Sequence, residues 1–169
     1  MSRAPDRSAA ILARFNAAHT TLVQRLRDMP AAAAEQPLGA GLGSAAQIAW
    51  HVAMTDDWVA DVLLGSTASA RPAPARFKGS GGPASLPSKA KTFPSLDAPA
   101  DVQRDSALER LRASGQRLTK ALASLSPERG AGYVVTLPLG TVSLFELADL
   151  AGASIARHVA QIERALALA

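Results

Sequence analysis

Three histidines are the residues of this chain best equipped for chemistry, because a neutral imidazole can bind a transition metal or carry a proton near physiological pH. His19, His51 and His158 each fall on the apolar stripe of a different predicted helix. An imidazole is costly to bury unless its nitrogens find partners, so each needs an acceptor, a metal or a wet pocket. A lone inward histidine is usually a core-edge residue bonded to a carbonyl or water. Three together point to a shared site, and helix bundles build metal centres from inward side chains on facing helices. The residues one turn away are Thr55, four beyond His51, and Ser154, four before His158, and neither hydroxyl is a strong ligand for a divalent transition metal. Asp56, Asp57 and Asp61 turn off the His51 face at about 100° per residue and are expected as solvated surface charge. The chain has no cysteine, which removes disulfides, thiolate ligands and a cysteine nucleophile together. Thiol chemistry would therefore need a cosubstrate.

Four helices must position these side chains. The last one is the most strongly marked: Ser143 and Glu146 have capping-box spacing, and Leu144, Ala148, Ala151, Ile155, His158, Ile162 and Ala165 follow at steps of three and four. The first helix is predicted over about 8–29, with Leu12, Phe15, His19, Leu22 and Leu26 on one stripe and Pro30 as its stop. The segment AAAAEQPLGAGLG reads as a connection with room for one extra turn. Ser44 and Gln47 repeat the capping-box spacing and start the second helix, whose stripe is Ile48, His51, Thr55, Trp58 and Val62 and whose stop is Gly65. The third helix is predicted over about 101–125, with Gly115 on its leucine seam to let a neighbour approach closely, and Pro127 forbids its continuation. YVVTLPLGTVS reads as a short hairpin or an extended linker, a minor decoration before the last helix.

Residues 65–99 form an irregular Pro-, Gly- and Ser-rich crossover that Phe77 and Phe93 are expected to tack onto the bundle. Its GSGGPAS run lacks the lysine and Ser/Thr pair of a phosphate cradle, and no strand precedes it.

The 169 residues suit a single domain over 1–169, with residues 1–7 as a flexible tail. Apolar residues make up 48% and aromatics only 4%, so the core must form by close approach of small and aliphatic side chains. That favours an all-α four-helix bundle with a long crossover between the second and third helices. No run approaches the roughly 20 apolar residues of a membrane span, and the N-terminus lacks the apolar core of a signal peptide, so a cytoplasmic protein without a membrane partner is expected. The net charge of +4 raises nucleic acid as a partner. Arg104, Arg110, Arg112, Arg117 and Lys120 share one helix, but Asp105 and Glu109 interrupt them and no aromatics interleave for stacking, so no nucleic-acid partner is expected. The alanine-rich faces suit a homodimer.

The stretch SAAQIAWHVAMTDDWVADVLLG resembles the second helix of the DinB/YfiT-like proteins, and LADLAGASIARHVAQIERAL resembles their last helix, with its two-histidine motif ending in H-x-x-Q-I-E-R. The resemblance extends to the long crossover and to the T/S-L-x-E-L start of the final helix. It implies a four-helix bundle holding one divalent metal, typically nickel or zinc, on three histidines. It also implies activities such as S-transfer with small thiol cofactors, isomerisation or hydrolysis. Carried over by position, His51 matches the ligand of the second helix and His158 the second histidine of the final motif. The first histidine of that motif falls at Ser154, so one of three imidazoles is replaced by a hydroxyl, which weakens any metal site. His19, swung into the vacated position, is the candidate replacement.

Two readings stay open. In the first, His51 and His158, with His19 or Ser154, hold a nickel or zinc ion in a hydrolase or thiol S-transferase. Thr55 and Trp58 then line the substrate site, and Arg157 or Arg164 meets an anionic group. In the second, the bundle is metal-free and serves as a ligand-binding or dimeric scaffold protein.

Overall fold

The computed structural model describes residues 6–79, 93 and 96–169. The first helix, α1 (Arg7–Asp28), is capped by Asp6, whose side chain accepts the Ser8 amide, and it buries Ile11, Phe15, Leu22 and Leu26. Asp6 and Arg7 thus belong to the helix, and the rest of the expected tail lies outside the described residues. The following connection holds more than one turn. It contains the five-residue α2 (Ala31–Glu35) and a hairpin of β1 (Pro37–Gly39) and β2 (Leu42–Ser44), with Gly39 opposite Leu42. Gly41, at φ 75°, supplies the positive dihedral that a two-residue hairpin loop favours.

Helix α3 (Ala45–Leu64) starts on a complete capping box between Ser44 and Gln47 and ends at Gly65 in the left-handed conformation. The crossover is not wholly irregular: β3 (Arg71–Pro72) pairs with a later strand, and Phe93 is buried against the bundle, while most of the GSGGPAS run lies outside the described residues. Helix α4 (Arg104–Ala123) begins three residues later than predicted, because Gln103 is its N-cap and the Glu35 carboxylate accepts the Arg104 amide. The six-residue α5 (Pro127–Gly132) then leads into β4 (Tyr133–Leu137) and β5 (Gly140–Ser143), which form an antiparallel hairpin extended by β3 in the order β3-β4-β5. The last helix, α6 (Leu144–Ala167), starts on the Ser143 and Glu146 capping box.

Helices α1, α3, α4 and α6 make the bundle. α1 packs on α6 and α4, and α3 packs on α4 and α6, so α1 and α3 stand on a diagonal. Ser8 reaches the Leu125 carbonyl and Arg104 the Met29 carbonyl, so α1 and α4 are antiparallel. Arg14 on Asp149 and Arg25 on Glu163 make α1 and α6 parallel. Trp50 lies under Arg110, and Asp61 pairs with Arg117, so α3 and α4 run the same way. A parallel return must cover the length of a 20-residue helix, about 30 Å, which is why the crossover is long.

The core is the shared interior of the four helices, with Phe15, Leu22, Leu111, Leu118, Leu147, Ile155 and Ile162 fully buried. A Cβ on Gly152 would lie 3.3 Å from the Phe15 Cα, so glycine sets how closely α1 and α6 approach. Among the described residues no helix is long and apolar enough to cross a membrane.

Candidate functional site

The interface of α3 and α6 brings His51 and His158 together. Their ring centroids are 5.5 Å apart and the planes are nearly perpendicular, at 81°. At that separation the two rings are immediate neighbours across the interface.

Each ring has an oxygen neighbour that assigns its tautomer. His51 Nδ1 lies 2.6 Å from the Leu96 carbonyl, which can only accept, so Nδ1 carries the hydrogen and Nε2 presents a lone pair. His158 Nδ1 faces the side-chain oxygen of Gln161 at 3.3 Å, one turn on along α6, with the same consequence for its Nε2. An imidazole whose Nδ1–H is held by an oxygen is the form that offers Nε2 to a metal or a proton. Burial pushes the His158 pKa down to about 4; the Gln161 hydrogen bond opposes this, and the charges of His51 and Arg157 add smaller lowering effects. His158 is therefore neutral at neutral pH.

The remaining expected site residues divide. Thr55 is buried, and its hydroxyl donates back to the His51 carbonyl at 3.0 Å, so it braces the helix. Ser154 is buried on α6 one turn before His158. Trp58 packs edge-on against Phe93, with centroids 6.2 Å apart, which closes this end of α3 with the crossover. Arg157 is partly buried, and desolvation lowers its pKa.

His19 does not join the pair. Its Nε2 lies 3.0 Å from the Leu111 carbonyl on α4, and a Cβ on Gly115 would clash with its Cε1 and Nε2. The cause is the diagonal: α1 packs on α4 and α6, so a side chain at the right height on α1 still faces the wrong neighbour. Among the described residues no group of three or more His, Cys, Asp or Glu could hold a metal ion.

Asp56 corrects a second expectation. It is 1% exposed, while Asp57 and Asp61 lie at the surface of α3 and pair with Arg110 and Arg117. Turning off the His51 face by about 140° does not reach solvent, because α3 is packed on both α4 and α6. Val52, Ala53, Val59, Ala60, Val62 and Leu63 are buried around it, and a helix apolar nearly all round was the available signal. Gln161 could also have been found, from its i+3 spacing to His158. The Leu96 carbonyl could not, because a loop backbone atom leaves no trace in residue type.

The sequence profile of the DinB superfamily matches residues 14–162. The solved structure of TT2238, described as a four-helix bundle protein, aligns with a TM-score of 0.63 over 93% of this chain and 98% of that one, at 18% identity. At that identity the likeness speaks for the fold alone. No curated protein matches the chain.

Proposed function

The chain belongs to the DinB superfamily, and from that premise we propose that the His51 and His158 pair is the working centre of a small-molecule site acting in hydrolysis or thiol-dependent S-transfer. The observation that carries this reading is two imidazoles meeting edge to face with both Nδ1 atoms turned to oxygen acceptors. The Leu96 carbonyl and the Gln161 amide hold the rings, so little orientational freedom is lost when a ligand docks.

The donor set fits nickel or zinc in type and falls one strong ligand short in number. His51 and His158 would hold such an ion weakly, with Ser154 and solvent as the other donors. When bound, the ion supplies Lewis acidity toward water or a thiol cosubstrate. The protein's own contribution is a neutral His158, an aromatic wall of Trp58 and Phe93, and the positive charge of Arg157 beside the pair. That charge opposes a second cation and favours a substrate with an anionic end.

That no group of three or more His, Cys, Asp or Glu could hold a metal ion among the described residues supports a second reading, a metal-free bundle that binds its small molecule without turning it over. Zinc or nickel titration of the purified chain, followed through the histidine ring resonances, separates the two. The expected result is weak, saturable binding that His51→Ala abolishes and that Ser154→His tightens at least about a hundredfold, equivalent to about 2.7 kcal/mol. Binding indifferent to His51→Ala would remove the metal from the proposal.

A further inference from the structure

A cleft of about 530 Å³ opens between α1 and α4, and neither His51 nor His158 lines it. Its two walls are antiparallel helix faces. Arg27, Arg112 and Lys120 line it, and none of its lining residues is acidic. Arg27 leans on the neighbouring Asp28 at the surface. Val23 and the bare backbone at Gly115 give the floor an apolar stretch, and His19 closes it.

His19 sits there by construction. Gly115 leaves room for the ring, since a Cβ at that position would occupy the imidazole's own space. The Leu111 carbonyl takes the Nε2 hydrogen, which leaves Nδ1 as the nitrogen able to gain a proton. Behind the ring lies Asp56, with Oδ2 3.8 Å from His19 Nε2. Neither Asp56 oxygen has a hydrogen-bond partner among the described residues. A buried carboxyl with no hydrogen bond among the described residues and an imidazole beside it calls for an explanation. The nearby Ser114 hydroxyl donates to the Leu111 carbonyl at 3.0 Å, and its effect on Asp56 is smaller than that of burial.

We infer that the α1/α4 cleft is a second ligand site, which takes a small organic anion with a flat apolar body, held by Arg112 and Lys120 and met at its floor by His19. The volume lies within the range of pockets that enclose small organic ligands, and a bare inorganic anion would leave most of it to water. The apolar floor asks for a body, and the three cationic side chains among neutral polar ones ask for a carboxylate or similar end. A ligand anion beside His19 favours its imidazolium form, against the burial that lowers the His19 pKa.

Benzoate and the neutral benzamide are the probes, added to the full chain while the ring resonances of all three histidines and the heat of binding are followed. Benzoate is expected to bind saturably, to move the His19 resonances and leave those of His51 and His158 in place, and to bind at least tenfold tighter than benzamide. Arg112→Gln combined with Lys120→Gln changes only exposed or partly exposed side chains, so the fold should survive, and it is expected to weaken benzoate at least tenfold. Equal binding of the two probes, shifts confined to His51 and His158, or an unchanged affinity in the double variant would each overturn the assignment.

Discussion

His51 and His158 meet where two neighbouring helices face each other, and each gives one ring nitrogen to an oxygen and keeps the other. His19 and Asp56 meet across the bundle diagonal, where the imidazole is bonded to a carbonyl and the carboxyl has no hydrogen bond among the described residues. The difference teaches what burial does to each kind of group. An imidazole carries one donor and one acceptor when neutral, so a single helper oxygen both satisfies it and sets its tautomer. A carboxyl in the same surroundings has no neutral form without a proton. Burial, with the Asp57 charge adding to it against a smaller effect of Ser114, pushes Asp56 well above the usual carboxylate range. Both sites thus favour uncharged groups, one by losing a proton and the other by keeping it.

The largest expected effect breaks this symmetry through pH. With its folded pKa at about 4 and an ordinary value of 6.5, His158 binds fewer protons in the folded state between those limits. Stability is therefore complete above pH 6.5 and falls as pH drops toward 4, by about 3 kcal/mol. Urea denaturation of chelator-treated protein should show this fall in the native chain and not in His158→Asn; parallel curves would mean that the ring is not desolvated as described.

Asp56 has the opposite sign. Its folded pKa is raised, so its contribution is neutral below about pH 4 and grows more destabilising as pH rises toward the folded value. Asp56→Leu, which exchanges an unsatisfied buried polar group for an apolar one, should raise stability by about 1–3 kcal/mol at neutral pH and by less near pH 4. A loss of stability at neutral pH would show that the carboxyl holds the helices after all.

The smallest effect sharpens the other half of the comparison. His51→Phe keeps the ring volume and removes the hydrogen bond to Leu96, and should lower global stability by about 1 kcal/mol. Amide exchange around residues 96–100 should speed up more than that figure implies, because the bond ties the crossover to α3; unchanged exchange there would mean that the Trp58 and Phe93 contact does the anchoring alone.

Much of the frame was legible in the chain because it rests on local chemistry. Ser44 with Gln47 and Ser143 with Glu146 satisfy their own helix starts within four residues, and Gly65 ends α3 through a dihedral that other residues rarely adopt. The meeting of His51 with His158 followed from two apolar stripes that had to face inward. The hairpin of β1 and β2 escaped notice because alanine, glycine and proline carry little period, and the partner of β3 lies some sixty residues away. The expectation for Asp56 failed because angular position along one helix says which way a side chain points, and not whether a neighbour stands there.

Sequence by itself determined the four helices, their caps and their inward stripes, since these depend on groups within a turn or two of one another. Only the tertiary structure decided which helices became neighbours and which stood on a diagonal. That choice gave His51 its partner, sent His19 to α4, and closed water away from Asp56, because packing order is set by the fit of whole surfaces and not by the spacing of residues along a strand of text.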